Sequence, residues 1–379
     1  MKTVLIGGGY RGKGLLKLMR EIPFFEVVAV ADPGLGESPS GDADGSEIFA
    51  GLRVYSDGPD DYRRMLAEER PELVFVCSPW DSHISQALDC LKAGCHVALE
   101  IRGGRKLGEY QPLMGFSGKI FPLENILFRR DILAVREMVR AGLFGEIVSM
   151  KGCYRHDLRR TLVNAAGEFG GPAPGPVPGM PYEPWRAKAY ETENADIYPT
   201  HSIAPLCLIG DVHSLMELTS FSSKSAGLRE KLGPSCPRIT MGDIVKTVAF
   251  TVDGKLITLI HDTTLPRPRS YGIEIQGTRG IWEEDTHRIY IEGRSSFEQW
   301  EPDTEYVEEF LDPMWRRWGA EAEAADRHHG GMDYIMLKAI EADLCGGFTY
   351  PATIADLDLW TAITPLSAKS IAEGCTVKL

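Results

Sequence analysis

Residues 4–14 read VLIGGGYRGKG. Three β-formers, Val4, Leu5 and Ile6, run into Gly7, Gly8, Gly9 and Gly12, and Leu15, Leu16 and Met19 follow at helical spacing. That is strand, glycine turn and helix, with Gly7, Gly9 and Gly12 in the G-x-G-x-x-G register. The first glycine permits the turn, the second lets a pyrophosphate approach the backbone, and the third lets the helix pack on the strand. The helix N-terminus adds free N–H groups and the positive end of its dipole. Glycine turns also join strands to helices with no ligand, so the spacing needs support. A second strand pattern, Val27 to Ala31, ends at Asp32, twenty residues after Gly12, where a carboxylate meets the ribose hydroxyls of a dinucleotide. No arginine follows Asp32 closely to hold a 2′-phosphate, so the pattern favours NAD over NADP.

A chain of 379 residues exceeds one ordinary core and points to two domains. Its 43% hydrophobic and 25% charged content is that of a globular protein. The net charge of −13 argues against a nucleic-acid surface and against anionic membranes. The start lacks a charged leader and cleavage site, and no apolar run is long enough to span a membrane, so a cytoplasmic location is expected. Eight cysteines are scattered without C-x-x-C spacing, the pattern of free thiols rather than disulfides or a zinc site.

The first third alternates strand and helix patterns. Helix-like 60–69 precedes the buried strand 73–77; Ser78-Pro79-Trp80 breaks the chain; helix-like 84–93 leads to strand 96–99, which stops at Glu100. Repeated β-α-β implies a parallel sheet covered on both faces, with ligands beyond the carboxyl ends of its strands. Asp32, Ser78, Pro79, Trp80 and Glu100 all fall at such ends, on the rim of the glycine loop. A link is expected near 115–122, giving domains 1–122 and 123–379. Beyond it come a helix over 130–141, a strand over 146–154 and a Pro/Gly-rich loop over 167–184, then strands near 212–222, 244–252, 255–263, 271–276 and 288–291. Asp253-Gly254 marks a hairpin. Closing helices are expected over 331–344 and 353–373, the last one a candidate to pack back on the first domain. The fold class is therefore α/β: an N-terminal Rossmann domain, then an α+β domain with an open, mostly antiparallel sheet.

In the second domain, DIYPTHSIAP (196–205) places Pro199 before a helical segment with Thr200 as its expected N-cap. Tyr198 and His201 then leave the start of one helix, three residues apart. Imidazole titrates near neutrality and a phenol can donate to a sugar oxygen, so the pair suits proton transfer; a packing or capping histidine is the ordinary alternative. Tyr154, His156 and Asp157 end the strand before the Pro/Gly loop, where polar residues commonly face water. Trp185-Arg186 suits a sugar face and its hydroxyls, though a core tryptophan beside a surface arginine is commoner. His328 and His329 are adjacent and lack H-E-x-x-H spacing, so a helix-start anchor is expected there and no metal.

The N-terminal third resembles the glucose–fructose oxidoreductase and inositol dehydrogenase superfamily. Within it, segments along nearly the whole chain resemble glycoside hydrolase family 109, the NAD-dependent α-N-acetylgalactosaminidases. They are Tyr10-Arg11, the stretch from Ser78 to His83, Glu100-Ile101, Glu124-Asn125, Tyr154 to Arg159, Trp185-Arg186 and Tyr198 to His201. Met241-Gly242-Asp243, His261 to Pro268, Gln276 to Gly280 and His329 to Asp333 continue the match. The resemblance implies a cofactor set of Gly7, Gly9, Tyr10, Arg11, Gly12, Asp32, Ser78, Pro79, Trp80, His83, Glu100, Ile101, Asn125 and Tyr198. The wider superfamily commonly has E-K-P where this chain has Glu100-Ile101-Arg102, without the lysine that assists alcohol oxidation. That absence moves catalysis towards Tyr198 and His201. The family's P-R-P-Y-S appears here as Pro266-Arg267-Pro268-Arg269-Ser270, with Tyr271 two residues beyond the altered position.

The resemblance implies hydrolysis without net redox change: transient oxidation at C3 of the sugar, elimination of the aglycone, water addition and re-reduction, on N-acetylhexosaminides. NAD-dependent families are a known exception to the two-carboxylate glycosidase pattern. His201 is expected to act at the C3 hydroxyl, Tyr198 beside nicotinamide and sugar, and Tyr154 at the C2 proton, with Arg186 holding substrate. An NAD-dependent sugar or polyol dehydrogenase is the alternative enzyme, and an NAD-binding regulator a non-enzymatic one. The expected partner is a small carbohydrate, with homo-oligomers the superfamily habit.

Overall fold

Residues Lys2–Ile6 form the first strand, β1, and its four central and final side chains are buried. The structure is a computed structural model and describes residues 1–35, 47–102, 104–164, 166–170 and 184–379. Five further strands follow: β2 (Glu26–Ala31), β3 (Arg53–Tyr55), β4 (Leu73–Val76), β5 (His96–Leu99) and β6 (Ile120–Pro122). They align in the order β3-β2-β1-β4-β5-β6, all parallel. Every residue of β4 is buried, as a sheet covered on both faces requires. Helices Tyr10–Arg20, Asp61–Glu69 and His83–Lys92 lie between strands in the chain. Strand order reverses beside β1, the place where such sheets open a crevice for ligands. The expected link at 115–122 is corrected: its last three residues are β6. Three residues ending in proline carry no strand period, and proline is tolerated there because β6 is an edge.

The chain divides into two compact units. One comprises Met1–Ile101, Gly108–Arg129 and Pro313–Leu357; the other Arg102–Leu107, Arg130–Asp312 and Asp358–Leu379. This division carries Pro313–Leu357 into the first unit, whereas the sequence expectation placed them in the second. The physical reason is local: helix Met332–Leu344 starts with an acid that binds the arginine of the glycine loop, as detailed below.

The second unit is built on β7 (Ile147–Arg155), β8 (Leu215–Ser222), β9 (Ile244–Thr251), β10 (Leu256–Asp262), β11 (Glu274–Gly277), β12 (Gly280–Glu283), β13 (Arg288–Ile291), β14 (Glu301–Pro302) and β15 (Val377–Lys378). Their order is β14-β13-β12-β11-β7-β10-β9-β8-β15. Only β7 and β10 pair in parallel; the other neighbours are antiparallel. Strand β9 alternates buried and exposed positions, which leaves one face of the sheet for packing. Asp253-Gly254 turns β9 into β10 as expected, with Gly254 at φ +88°. Most of the Pro/Gly-rich loop, 171–183, lies outside the described residues, as does 36–46. No helix among the described residues is long and apolar enough to cross a membrane.

Candidate active site

In the first unit the glycine loop is shaped by what it cannot accommodate. Gly7 has φ +96°, and a β-carbon there would stand 2.5 Å from the backbone of Cys77 and Ser78. At Gly12 a β-carbon would meet the Gly7 carbonyl oxygen at 2.0 Å, so helix and loop pack on bare backbone. Gly9 faces open space, the side from which a pyrophosphate reaches the loop. Asp32 ends β2 and holds the rim: Gly8 N–H donates to its Oδ2 at 2.6 Å and Gly34 N–H to its Oδ1 at 2.8 Å. A cleft of about 480 Å³ opens between Gly7, Asp32, Gly58, Ser78, Pro79 and Gln86. His83 is fully buried behind that rim, with its Nε2 2.7 Å from the Ser78 carbonyl oxygen; it fixes the turn that presents Ser78 and Pro79. Trp80 begins one short helical turn, Trp80–Ser82. Bare loop, carboxylate rim and cleft together fit a dinucleotide.

Beside the loop lies a buried charge network. Arg11 donates to both oxygens of Asp333, at 2.6 and 2.9 Å, and through Nε to Glu100 at 2.9 Å. Asn125 Nδ2 donates to Asp333 Oδ1 at 2.9 Å, and His329 Nδ1 is 2.6 Å from Oδ2. Burial opposes ionisation of Asp333, yet Arg11 and His329 hold it well below the usual carboxylate range. Glu100 is pushed up by burial, with Arg11 opposing. Ile101 is buried beside it, and Tyr10 is exposed, its hydroxyl 3.1 Å from His328 Nε2. Of the residues expected at the cofactor, Arg11 and Asn125 are thus held by Asp333, and Glu100 by Arg11. Asp326, His329 and Asp333 bring ligand-type atoms within 4.8 Å of one another, but the Arg11 guanidinium already occupies Asp333. His329 anchors the helix start, as expected.

In the second unit the ring cluster assembles at the ends of β7 and β10. Helix Thr200–Gly210 lies on β7, where a β-carbon on Gly152 would come within 2.1 Å of the Ser202 carbonyl oxygen. This close approach sets His201 against Tyr154, with ring centroids 5.5 Å apart. Tyr198 is 4.7 Å from Tyr154 and 5.0 Å from His201. All three expected catalytic side chains therefore meet. Thr200 corrects the sequence reading: Pro199 takes the cap position, no side chain caps the helix, and the Thr200 hydroxyl is buried. A proline cap residue leaves no side-chain acceptor to hold the first N–H groups.

Arg186 lies over the Tyr198 ring at 5.1 Å. Two residues that sequence reasoning had not placed join the cluster. Tyr271 is 5.9 Å from His201, and its carbonyl accepts from Cys153 N–H at 2.6 Å. His261 pairs with Tyr154 in the parallel β10–β7 register, 6.0 Å ring to ring. It is 1% exposed, and among the described residues neither ring nitrogen has a hydrogen-bond partner. Burial, then the Arg186 charge, pushes it down to about 3. His156 is lowered to about 4 by burial, then by Arg269 and Arg186. Both imidazoles are neutral at physiological pH. Asp196, two residues before Tyr198, is fully enclosed; burial raises it to about 7 while the Tyr198 N–H opposes. The sequence signals for His261 were its place in a strand and in one segment of the family resemblance; its partner across the sheet is set by tertiary pairing.

Comparison with known proteins agrees with both units. Residues 1–101 match the family described as Oxidoreductase family, NAD-binding Rossmann fold. Residues 128–378 match Glycosyl hydrolase 109, C-terminal domain. The chain belongs to glycosyl hydrolase family 109. This family 109 member is 33% identical to the Glycosyl hydrolase family 109 protein of Stenotrophomonas maltophilia (strain K279a), over 99% of this chain and 87% of that relative. It is 34% identical to the Alpha-N-acetylgalactosaminidase of Tannerella forsythia, over 86% of this chain and 73% of the relative. Among solved structures, levoglucosan dehydrogenase in complex with NADH and levoglucosan has a TM-score of 0.72, covering 100% of this chain and 99% of its own at 16% identity. Myo-inositol 2-dehydrogenase from Lactobacillus plantarum has a TM-score of 0.65 at 14% identity, covering 100% of this chain and 99% of its own. Both show a shared fold. The family 109 chain carries an NAD-binding Rossmann domain and is an NAD-dependent glycosidase.

Proposed function

We propose that this enzyme hydrolyses N-acetylhexosaminides by a redox-neutral route in which His201, Tyr198 and Tyr154 handle the protons. The observation that carries the proposal is their mutual contact, three rings with centroids 4.7 to 5.5 Å apart. NAD, when bound, supplies a reversible two-electron acceptor that allows C3 of the sugar to be oxidised and later restored. His201 takes the proton of the C3 hydroxyl, a role suited to an imidazole enclosed by aromatic rings. Tyr198 orients that hydroxyl and lies against Arg186, which holds the substrate. Tyr154 moves the C2 proton, which a neighbouring ketone acidifies, the aglycone leaves from C1 with a proton, and water then adds at C1 as C2 regains its proton. The first unit, with Asn125 and Asp333 beside its glycine loop, supplies the cofactor site, and the second unit the sugar site. The similarity to the Tannerella forsythia enzyme supports an N-acetylated amino sugar as substrate.

The test is His201→Ala, assayed with a panel of 4-nitrophenyl α- and β-glycosides. The variant is expected to release no nitrophenol while binding NAD as the parent does. Full activity in the variant overturns the assignment. Stoichiometric NADH from a free sugar, with no aglycone released by the parent, identifies a dehydrogenase instead.

A further inference from the structure

Two guanidiniums stand one ring away from His201. Arg186 lies 5.1 Å from the Tyr198 ring centroid, itself 5.0 Å from His201. Arg269 lies 5.0 Å from the Tyr271 ring centroid and donates to its hydroxyl; Tyr271 is 5.9 Å from His201. The electrostatic reach of both converges on one place, because both push the same group, His156, towards neutrality after burial has done so. Neighbouring arginines of the same unit are matched by acids. Arg155 binds Asp285, Arg159 binds both oxygens of Asp157, and Arg267 binds Asp262 at 2.8 Å. Arg269 differs: it is exposed, and its side-chain partner is the neutral phenol of Tyr271. The chain as a whole carries −13, so the Arg269 guanidinium beside a phenol runs against the sign of the molecule. Such a group attracts an anion that the rest of the surface repels.

We propose that the sugar bound here carries an anionic substituent (a carboxylate, sulfate or phosphate), gripped by Arg269 with Arg186 beside it. The inference rests on the reading of the His201 cluster as the sugar site, and makes Arg269 a specificity-determining residue. The planar fork of a guanidinium matches an oxyanion with two parallel hydrogen bonds. Tyr271 holds one face and one Nη of the guanidinium, and its remaining N–H groups serve the ligand. His261, next to Tyr154 and without a hydrogen-bond partner among the described residues, offers a neutral polar group for a sugar hydroxyl.

The experiment is calorimetric titration of the NAD-loaded protein with paired sugars. Glucuronate and galacturonate are compared with glucose and galactose, and N-acetylglucosamine 6-sulfate and 6-phosphate with N-acetylglucosamine. At least one anionic member is expected to bind about 10- to 100-fold more tightly than its neutral partner, the range of a charge-assisted hydrogen bond, and to weaken as salt rises. The pair that responds distinguishes carboxylate from sulfate or phosphate. Arg269→Gln is expected to erase this preference, bringing the ratio of anionic to neutral affinity to about one, and Arg269→Lys to restore part of it. Unchanged melting of both variants shows that they fold. Equal binding of anionic and neutral sugars, or a preference that survives Arg269→Gln, overturns the proposal. The glycosidase reading is scored separately by nitrophenol release. Arg269-dependent anion preference without aglycone release sinks that reading and leaves this one standing; cleavage of neutral glycosides with no anion preference does the reverse.

Discussion

A β-carbon on Gly152 would stand 2.1 Å from the carbonyl oxygen of Ser202. Strand β7 and helix Thr200–Gly210 therefore touch backbone to backbone, and that contact is what brings Tyr154 and His201 together. Gly152→Ala must push the helix outward or bend the strand. Overpacking of this kind costs about 1–3 kcal/mol, and a displacement near 1 Å at reacting groups costs about 100-fold in rate. The expected variant is folded, melts a few degrees lower and has lost most nitrophenol release while still binding NAD. Wild-type turnover in that protein would mean the backbone contact does not set the site.

Asp333 joins Arg11, Asn125 and His329 in the first unit. Removing one member of a buried ion pair strands the other charge and costs about 3–5 kcal/mol. Asp333→Asn keeps the shape and can still accept one hydrogen bond, so a loss near the lower end is expected. Arg11 then loses its two-pronged anchor, and NADH affinity is expected to fall along with stability. Thermal unfolding and fluorescence titration with NADH read the two effects independently. An unchanged melting temperature would show that the network does not brace the loop.

The first unit was more legible in the sequence than the second. Its turn depends on glycines whose spacing is local, and β4 is a continuous apolar run, so neighbouring residues alone carry the signal. The same holds for Asp253-Gly254, where one dipeptide fixes the hairpin. Tyr198 and His201 were legible as a pair because a single helix start holds both. His261 was not, because its relation to Tyr154 comes from a parallel pairing between strands about a hundred residues apart in sequence. Nor was Asp333 legible as the partner of Arg11, which lies 322 residues away. Strands of two to four residues such as β6, β12 and β14 are too short to show a period, and proline at Pro199 displaced the cap expected at Thr200.

Asp196 is held neutral at a pH where carboxylates ordinarily ionise. Its folded value of about 7 lies above the ordinary aspartate value of about 4 because burial penalises the charge. A raised folded value means stability is fully present below the unfolded value and is lost as pH rises towards the folded one. At about 1.4 kcal/mol per pH unit, the loss between pH 4 and 7 amounts to about 4 kcal/mol at most. Asp196→Asn removes the titration and keeps an acceptor for the Tyr198 N–H. Its melting temperature is expected to match the parent at pH 4 and exceed it at pH 8. Parallel melting curves across that range would place the burial penalty elsewhere.

Asp32 should also decide between the two nicotinamide dinucleotides. Its oxygens are fixed by the N–H groups of Gly8 and Gly34, so the carboxylate cannot swing away from whatever enters the cleft. A ribose with two free hydroxyls can donate to it, whereas a 2′-phosphate would bring negative charge against negative charge. Two unit charges about 4 Å apart at an effective dielectric near 20 repel by about 4 kcal/mol, or about a thousand-fold in affinity. Fluorescence titration is therefore expected to find NADH bound at least about 100-fold more tightly than NADPH, allowing for screening by salt. Asp32→Asn removes the repulsion but keeps the size, and should narrow the ratio by at least about ten-fold, with some loss of NADH affinity. Comparable affinities for the two cofactors in the parent protein would show that the ribose end does not reach Asp32.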